Sequence, residues 1–383
     1  MRNRDDPIRA ILVMTRDKWD HGGTPPVVRN NFRKVLDCRT PAMGATVYAS
    51  DSEQFVGHDT CKSRQCTSCG SRGTLDWQRY WWGNLPDIPY AGITFTMPDQ
   101  FWPMFKADPK LRNDLPAIGA AVISQWGWER YQVRLLILVV QQTFGKRLNF
   151  NPHLHIIVSL GGLRWVSGPW QPLIEFNHDE IRELWCFAVT EYLKEAFQNG
   201  LLHRQSLPTN FLGVIRQQRE RKWNIHISGP KSKKHLIGYA GRYIRRPPIS
   251  KRRILSVTEN DVVFLKRVSG SETCRLTPEQ FMECLASHVP EHYTHSMHYF
   301  GLLAPRSIQT MRKVVFAAIG QPVPPPAKRL PWAAAIKKYF GVDPLLDSKG
   351  IRMHNVGRIK PSGDPADNSS APNRFGRERS AIP

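Results

Sequence analysis

The amino-acid sequence predicts an α/β fold, a central sheet flanked by helices, with a small metal-stapled module ahead of it. Three observations predict this. Strand-like segments rich in Val, Ile and Leu recur at residues 91–97, 131–143 and 153–160. Residues 179–198 carry apolar side chains at a helical period. Cys61, Cys66 and Cys69 fall close together in a stretch poor in apolar runs, as expected of a module held by a metal.

Taken in chain order, residues 1–37 form an N-terminal helical segment. Two helical patterns, around 8–13 and 27–36, are parted by the turn formers Gly22-Gly23-Thr24-Pro25-Pro26. Residues 38–85 are assigned to the metal-binding module and residues 86–270 to a catalytic domain. Within the latter, Ile181, Leu184, Trp185, Ala188, Tyr192, Leu193 and Ala196 keep the helical period. Asp179 and Glu180 suit the positive end of that helix, and Asn199-Gly200 closes it. A short strand follows at 222–228. A helix at 233–245 is stopped by Pro247-Pro248. Strands at 253–257 and 261–267 flank a tight turn at Glu259-Asn260. Residues 271–320 are expected to be a C-terminal helical part, with a helix starting near Pro278. Residues 321–383 read as a Pro-rich linker and a basic tail, disordered from about Ser348.

Composition narrows the partner. Fifty-four Lys and Arg against 32 Asp and Glu give a net charge of +22 over 383 residues. A balance this basic favours a polyanion, because each neutralised phosphate releases counterions. The charge is also unevenly placed: residues 221–258 hold eleven Lys or Arg and no acid. A solvated face usually carries both signs, so this stretch reads as a nucleic-acid contact surface. The longest strongly apolar run, 135–140, is far short of the ~20 residues of a membrane helix. The opening Met1-Arg-Asn-Arg-Asp-Asp lacks the apolar stretch of a secretory signal, so a cytoplasmic location is expected. Seven cysteines, an odd count, argue against a disulfide framework.

Two constellations carry chemistry. In Pro152-His153-Leu154-His155 the histidines lie two apart on a strand and point to one face, as two ligands of one metal ion require. In Tyr239-Ala-Gly-Arg-Tyr243 two tyrosines lie four apart on a helix and share a face. A phenol with an unperturbed pKa near 10 is a poor nucleophile unless a metal or base assists it. Arg242, Arg245 and Arg246 beside it, with Lys233 and Lys234, suit a DNA backbone.

These residues resemble the HUH endonuclease superfamily, and in detail the two-tyrosine rolling-circle transposases of the insertion-sequence-ninety-one family. The resemblance rests on Thr60–Gly70, Ile93-Thr-Phe-Thr-Met-Pro98, Thr143–His155, Tyr239–Tyr243 and Tyr299-Phe-Gly-Leu-Leu303, in the family's order. It implies a largely antiparallel HUH-type sheet and a zinc-ribbon-like N-terminal module. It implies a transposase that nicks and rejoins single-stranded DNA at transposon ends and target site, through a 5′-phosphotyrosine on Tyr239 or Tyr243. Mg2+ or Mn2+ would sit on His153 and His155, with Gln142 as a candidate third ligand and His226 as a weaker one. The site of action would be the bacterial cytoplasm, at the nucleoid.

The cysteine spacing suits a structural Zn2+ held by Cys38, Cys61, Cys66 and Cys69, with His58 as a substitute for Cys38. Members of the family carry a further Cys-x-x-Cys upstream, absent here from residues 47–53. Lys62, Arg64 and Arg72 beside the metal suit recognition of DNA ends. Cys186 belongs to a helix core, and Cys274 and Cys284 show no pairing logic. Two other readings use the same parts: a replication initiator or relaxase, and a non-catalytic zinc-ribbon DNA-binding protein. No Walker-type phosphate loop is present, which argues against a fused helicase.

Overall fold

The apolar run at 135–140 becomes the middle of a strand, Val133–Phe144, in a computed structural model of the chain. The structure describes residues 6–67, 69–165, 168–244, 247–325, 327–328 and 330–362. Side chains along Val133–Phe144 are buried almost without alternation. A strand covered on both faces has no reason to alternate, which is why the sequence shows a continuous apolar run.

Five strands form the central sheet in the order Met297–Gly301, Val133–Phe144, Phe150–Arg164, Tyr90–Phe95, Ile225–Ile227, and Trp170–Pro172 pairs with Phe150–Arg164. Every pairing is antiparallel. The strand that carries His153 and His155 is therefore the middle one.

One face presents Ile93, Phe95, Ile137, Val139, Leu154, Ile156 and Val158 to the helices Pro109–Tyr131 and His178–Gln198. The other presents Tyr90, Leu136, Leu138 and Ile157 to the helices Gly70–Asn84, Lys233–Ile244 and Ile308–Ala318. The α/β expectation, with antiparallel sheets flanked by helices, holds.

The chain divides into two compact units. The larger comprises residues up to Phe32 and from Ser63 to Arg329; the smaller is Arg33–Lys62 with the segment from Leu330 onward. In the smaller unit, Gln54–His58, Ala45–Ala49 and His354–Ile359 make a three-stranded antiparallel sheet. Trp332 stacks on Tyr48 and Phe55 at centroid distances of 6.1 and 6.2 Å.

Two expectations are corrected here. Residues placed in a disordered tail form the strand His354–Ile359, paired with Ala45–Ala49. Asp347 holds the approach to it, accepting from the hydroxyls of Ser50 and Ser52 and from the Ile351 N–H. A polar strand fully exposed along its length carries no hydrophobic period, so it reads as a tail until its partner is known. Residues 271–320 are also not purely helical: Thr273–Leu276 is a strand, and Met297–Gly301 is an edge of the central sheet.

The helix Pro109–Tyr131 is not legible in the sequence, because it contains Gly119, Gly127 and Pro116. Pro116 has no N–H to give the carbonyl of Arg112, four residues back. That carbonyl accepts instead from the side-chain amide of Gln141 on the adjacent strand. The helix thus keeps its backbone satisfied through tertiary structure.

Gly301 has φ +57°. A Cβ there would overlap the carbonyl oxygen of Leu135, which is fixed by the Leu302 N–H at 2.9 Å. Gly301→Ala is expected to lower stability by about 2–4 kcal/mol in denaturant melts, from left-handed strain plus a backbone clash; an unchanged midpoint would contradict this.

The turn between the two central strands is held by buried His288. Its Nε2–H donates to the Leu148 carbonyl (2.9 Å), leaving Nδ1 to accept from the Thr143 hydroxyl (3.1 Å). Burial, followed by the nearby positive Lys106 and Arg112, holds its pKa down to about 4. The unfolded chain therefore takes up a proton below about 6.5 that the folded chain refuses down to about 4. Stability from this group is complete above 6.5 and falls as pH drops through that window, by up to about 3 kcal/mol. Melts of His288→Gln should show a correspondingly shallower pH slope between 6.5 and 4; an unaltered slope would sink the assignment.

Candidate active site

The strand Phe150–Arg164 alternates its side chains, so Leu154 and Ile156 enter the core while His153 and His155 share the opposite face. The two Nε2 atoms lie 3.1 Å apart. His153 Nδ1 stands 2.8 Å from the carbonyl of Asn151. A carbonyl only accepts, so the His153 proton is on Nδ1 and its Nε2 lone pair faces His155. A backbone carbonyl behind a histidine is a common way to orient a metal ligand.

Both imidazoles are held neutral. Burial lowers the pKa of His153, and burial, then the adjacent His153, brings His155 down to about 3. Neutral rings with lone pairs directed at one point suit a cation, and a 3.1 Å separation suits two nitrogens at metal–nitrogen lengths of about 2.0–2.2 Å.

Tyr239 closes the group. Its hydroxyl lies 3.2 Å from His155 Nδ1, with the rings edge to face at 6.1 Å. Thr94 Oγ1, on the neighbouring strand, lies 3.3 Å from the same nitrogen. Two proton arrangements satisfy these contacts. In one, His155 Nε2–H donates to His153 and Nδ1 accepts the Tyr239 hydroxyl. In the other, both Nε2 lone pairs serve a cation and His155 Nδ1–H donates to the Tyr239 oxygen. Sequence reasoning missed Thr94 and Asn151; the polar Thr within the apolar 91–97 strand was the available signal.

The other expected site residues divide. Gln142 is buried and sits opposite His153 in the strand register, so it shares that face. His226 is exposed and opposite Thr94, two strands from His155 and thus about 9–10 Å across the sheet. Tyr243 and Arg242 lie on the tyrosine helix Lys233–Ile244, but their side chains fall outside the described residues, as do Arg245 and Arg246 entirely. The side chain of Arg72 falls outside them too. Lys233 donates to the Leu85 carbonyl at 3.2 Å and lies over the Trp82 ring, with its pKa lowered by burial. Arg64 donates to the Thr294 carbonyl at 3.3 Å, whereas Lys62 and Lys234 are exposed.

The sulfurs of Cys38, Cys61, Cys66 and Cys69 lie within 4.8 Å of one another. Four thiolates around a zinc ion at about 2.3 Å stand about 3.8 Å apart, so the group fits that ion. The Cys61 N–H points at Cys38 Sγ (3.5 Å), and the Cys69 N–H bonds the Cys66 carbonyl (3.3 Å), closing the Cys-x-x-Cys turn. His58, at the end of the strand Gln54–His58, is outside this four-sulfur group.

Residues 137–310 match a family model described as "Putative transposase", and residues 12–97 match one described as "Transposase zinc-binding domain" of the IS91 type. The chain is 28% identical over 356 residues to the "Transposase for insertion sequence element IS801" of Pseudomonas savastanoi pv. phaseolicola, covering 87% of this chain and 85% of that one. The chain belongs to the IS91 family of transposases. A second transposase relative of this IS91-family chain, from Sinorhizobium fredii, is 22% identical over 319 residues, 76% of this chain and 78% of its own length. No solved structure matches the chain. As an IS91-family transposase it acts on DNA, cutting and transferring strands, and its N-terminal part is of the zinc-binding kind. Among the described residues no helix is long and apolar enough to cross a membrane.

Proposed function

We propose that this transposase is an HUH-type enzyme that cleaves and rejoins single-stranded DNA through a tyrosine-linked intermediate, in rolling-circle transposition within the cytoplasm. The observation that carries the reading is a line of contacts, His153 Nε2 to His155 Nε2 at 3.1 Å and His155 Nδ1 to the Tyr239 hydroxyl at 3.2 Å. His153 and His155, with Gln142 as the candidate third ligand, would hold a divalent ion such as Mg2+ or Mn2+. When bound, that ion would neutralise and polarise the scissile phosphate. Cys38, Cys61, Cys66 and Cys69 would hold a structural Zn2+.

The residues do the rest. With a cation on its Nε2, His155 would carry its proton on Nδ1 and donate a hydrogen bond to the Tyr239 oxygen, favouring the phenolate. Asn151 and Thr94 keep the two rings aligned. The Tyr239 phenol gives its proton to water, its oxygen attacks phosphorus, the P–O3′ bond breaks, and the released 3′ oxygen takes a proton from water. The DNA 5′ phosphate is then ester-linked to tyrosine. Attack by a 3′ hydroxyl reverses the sequence and rejoins strands without an external energy source. Tyr243, one turn on, would handle a second strand. Positioning and charge neutralisation supply most of the acceleration, as in other phosphoryl transfers.

Single-stranded DNA carrying the element's own ends, incubated with Mn2+ and resolved on a denaturing protein gel, tests this. A covalent adduct is expected that EDTA abolishes and that Tyr239→Phe with Tyr243→Phe eliminates. Persistence of the adduct in that double variant, or tight binding of the DNA with no adduct, would overturn the reading.

A further inference from the structure

Gly241 sits between the two tyrosines, in the interior of a helix, where glycine costs about 0.5–1 kcal/mol relative to alanine. At 3.6 residues per turn it lies about 200° around the axis from each tyrosine, on the helix's back. The helix Gly70–Asn84 packs there. A Cβ on Gly241 would collide with the side-chain amide of Gln78, standing 2.9 Å from its Cδ and 3.2 Å from Thr74 Cγ2. That amide donates through Nε2 to the carbonyl of Ile237 at 3.1 Å. Ile237 is four residues before Gly241, so its carbonyl is also the acceptor of the Gly241 N–H within the helix.

On either side of this contact the two helices share apolar packing: Trp77 and Trp81 cluster with Leu236, Ile237 and Ala240. The Trp77 and Trp81 indoles both donate to the Tyr299 hydroxyl, at 2.9 and 3.2 Å, tying the same helix to an edge strand of the sheet. Among the described residues two polar contacts join these helices: Lys233 to the Leu85 carbonyl at the end of the seam, and Gln78 to the Ile237 carbonyl inside its apolar part. A polar bond fixes rotation and register in a way that apolar packing alone does not, because slippage would strand its donor.

We propose that Gln78 is a positioning residue for the nucleophile: its bond to Ile237, for which Gly241 leaves the space, sets the rotation of the tyrosine helix and so aims Tyr239 at His155. This rests on the tyrosine-nucleophile reading. The helix that bears Gln78 begins at Cys69, which occupies its N-cap position. Cys69, in the same compact unit, thus stands at the start of the helix that backs the tyrosine helix.

Two substitutions break the bond from opposite sides. Gln78→Ala removes the donor. Gly241→Ala displaces the amide while improving helix propensity, so it separates positioning from stability. Both are expected to slow single-turnover adduct formation at least tenfold. Binding of a labelled single-stranded oligonucleotide should stay within threefold, and the melting temperature of Gly241→Ala should be unchanged or raised. The double variant should be no slower than the slower single one, since one contact is lost in each.

A 3-fluorotyrosine placed at position 239 gives a readout independent of chemistry: its 19F signal should shift or broaden in both variants. If the wild-type chain forms no adduct, the nucleophile reading fails while the 19F comparison still reports on positioning. Unchanged adduct rates and an unmoved 19F signal in the two variants, or multiplied rate losses in the double variant, would overturn the proposal.

Discussion

His155→Ala is expected to lower the rate of adduct formation by about a hundred- to a thousandfold, with single-stranded DNA still bound. Two losses coincide in this one side chain. Its Nε2 faces His153 across 3.1 Å, where the two would share a cation, and its Nδ1 meets the Tyr239 hydroxyl at 3.2 Å. Removing a metal ligand forfeits several kcal/mol of charge stabilisation at the phosphate, and each 1.4 kcal/mol is a factor of ten. Ground-state affinity for DNA comes mainly from the basic surface, so anisotropy titrations should change little. The half-saturating Mn2+ concentration should rise as well. An adduct rate within threefold of the unsubstituted chain would refute the assignment of His155, whatever happened to binding.

Stripping zinc is expected to have the largest effect on folding. Four sulfurs within 4.8 Å of one another can bind zinc together as thiolates, the ion balancing their charge. Structural zinc binding in small modules is worth on the order of 10 kcal/mol, and much of that is folding free energy. Cys66 is buried, so Cys66→Ser leaves the site short of a soft ligand in a place where nothing replaces it. Chelation, or Cys66→Ser, should lower the melting temperature sharply and free the start of the helix Gly70–Asn84, which follows directly on Cys69. Hydrogen exchange over residues 70–84 reads that directly. Metal analysis finding no zinc in a folded chain whose melting temperature ignores chelators would remove the structural ion from the account.

Elements with a strong local period are legible in the sequence alone. The expectation of a helix over 179–198 differs by one residue from His178–Gln198, because Asn177 caps it through its side chain. The strand at 153–160 and the helix at 233–245 fall within one long strand and on one helix. The helix Pro109–Tyr131 is hidden, since its proline and glycines are tolerated only through contacts from another strand. The strand His354–Ile359 is hidden because it is exposed throughout and depends on Ala45–Ala49 for its hydrogen bonds.

The site divides in the same way. Spacing by itself determined that His153 and His155 share one face of a strand, that Tyr239 and Tyr243 stand one turn apart on a helix, and that Cys61, Cys66 and Cys69 are close enough to be candidate ligands of one ion. These follow from periods of two and 3.6 residues and from the reach of a short loop, all local geometry. Only the tertiary structure decided that Tyr239 meets His155, that Asn151 fixes the His153 proton, that Thr94 shares the His155 nitrogen, and that Cys38 completes the four sulfurs. Tyr239 and His155 are 84 residues apart in the chain. A contact at that distance is set by which helix the sheet buries and how that helix is held, and no local pattern encodes it.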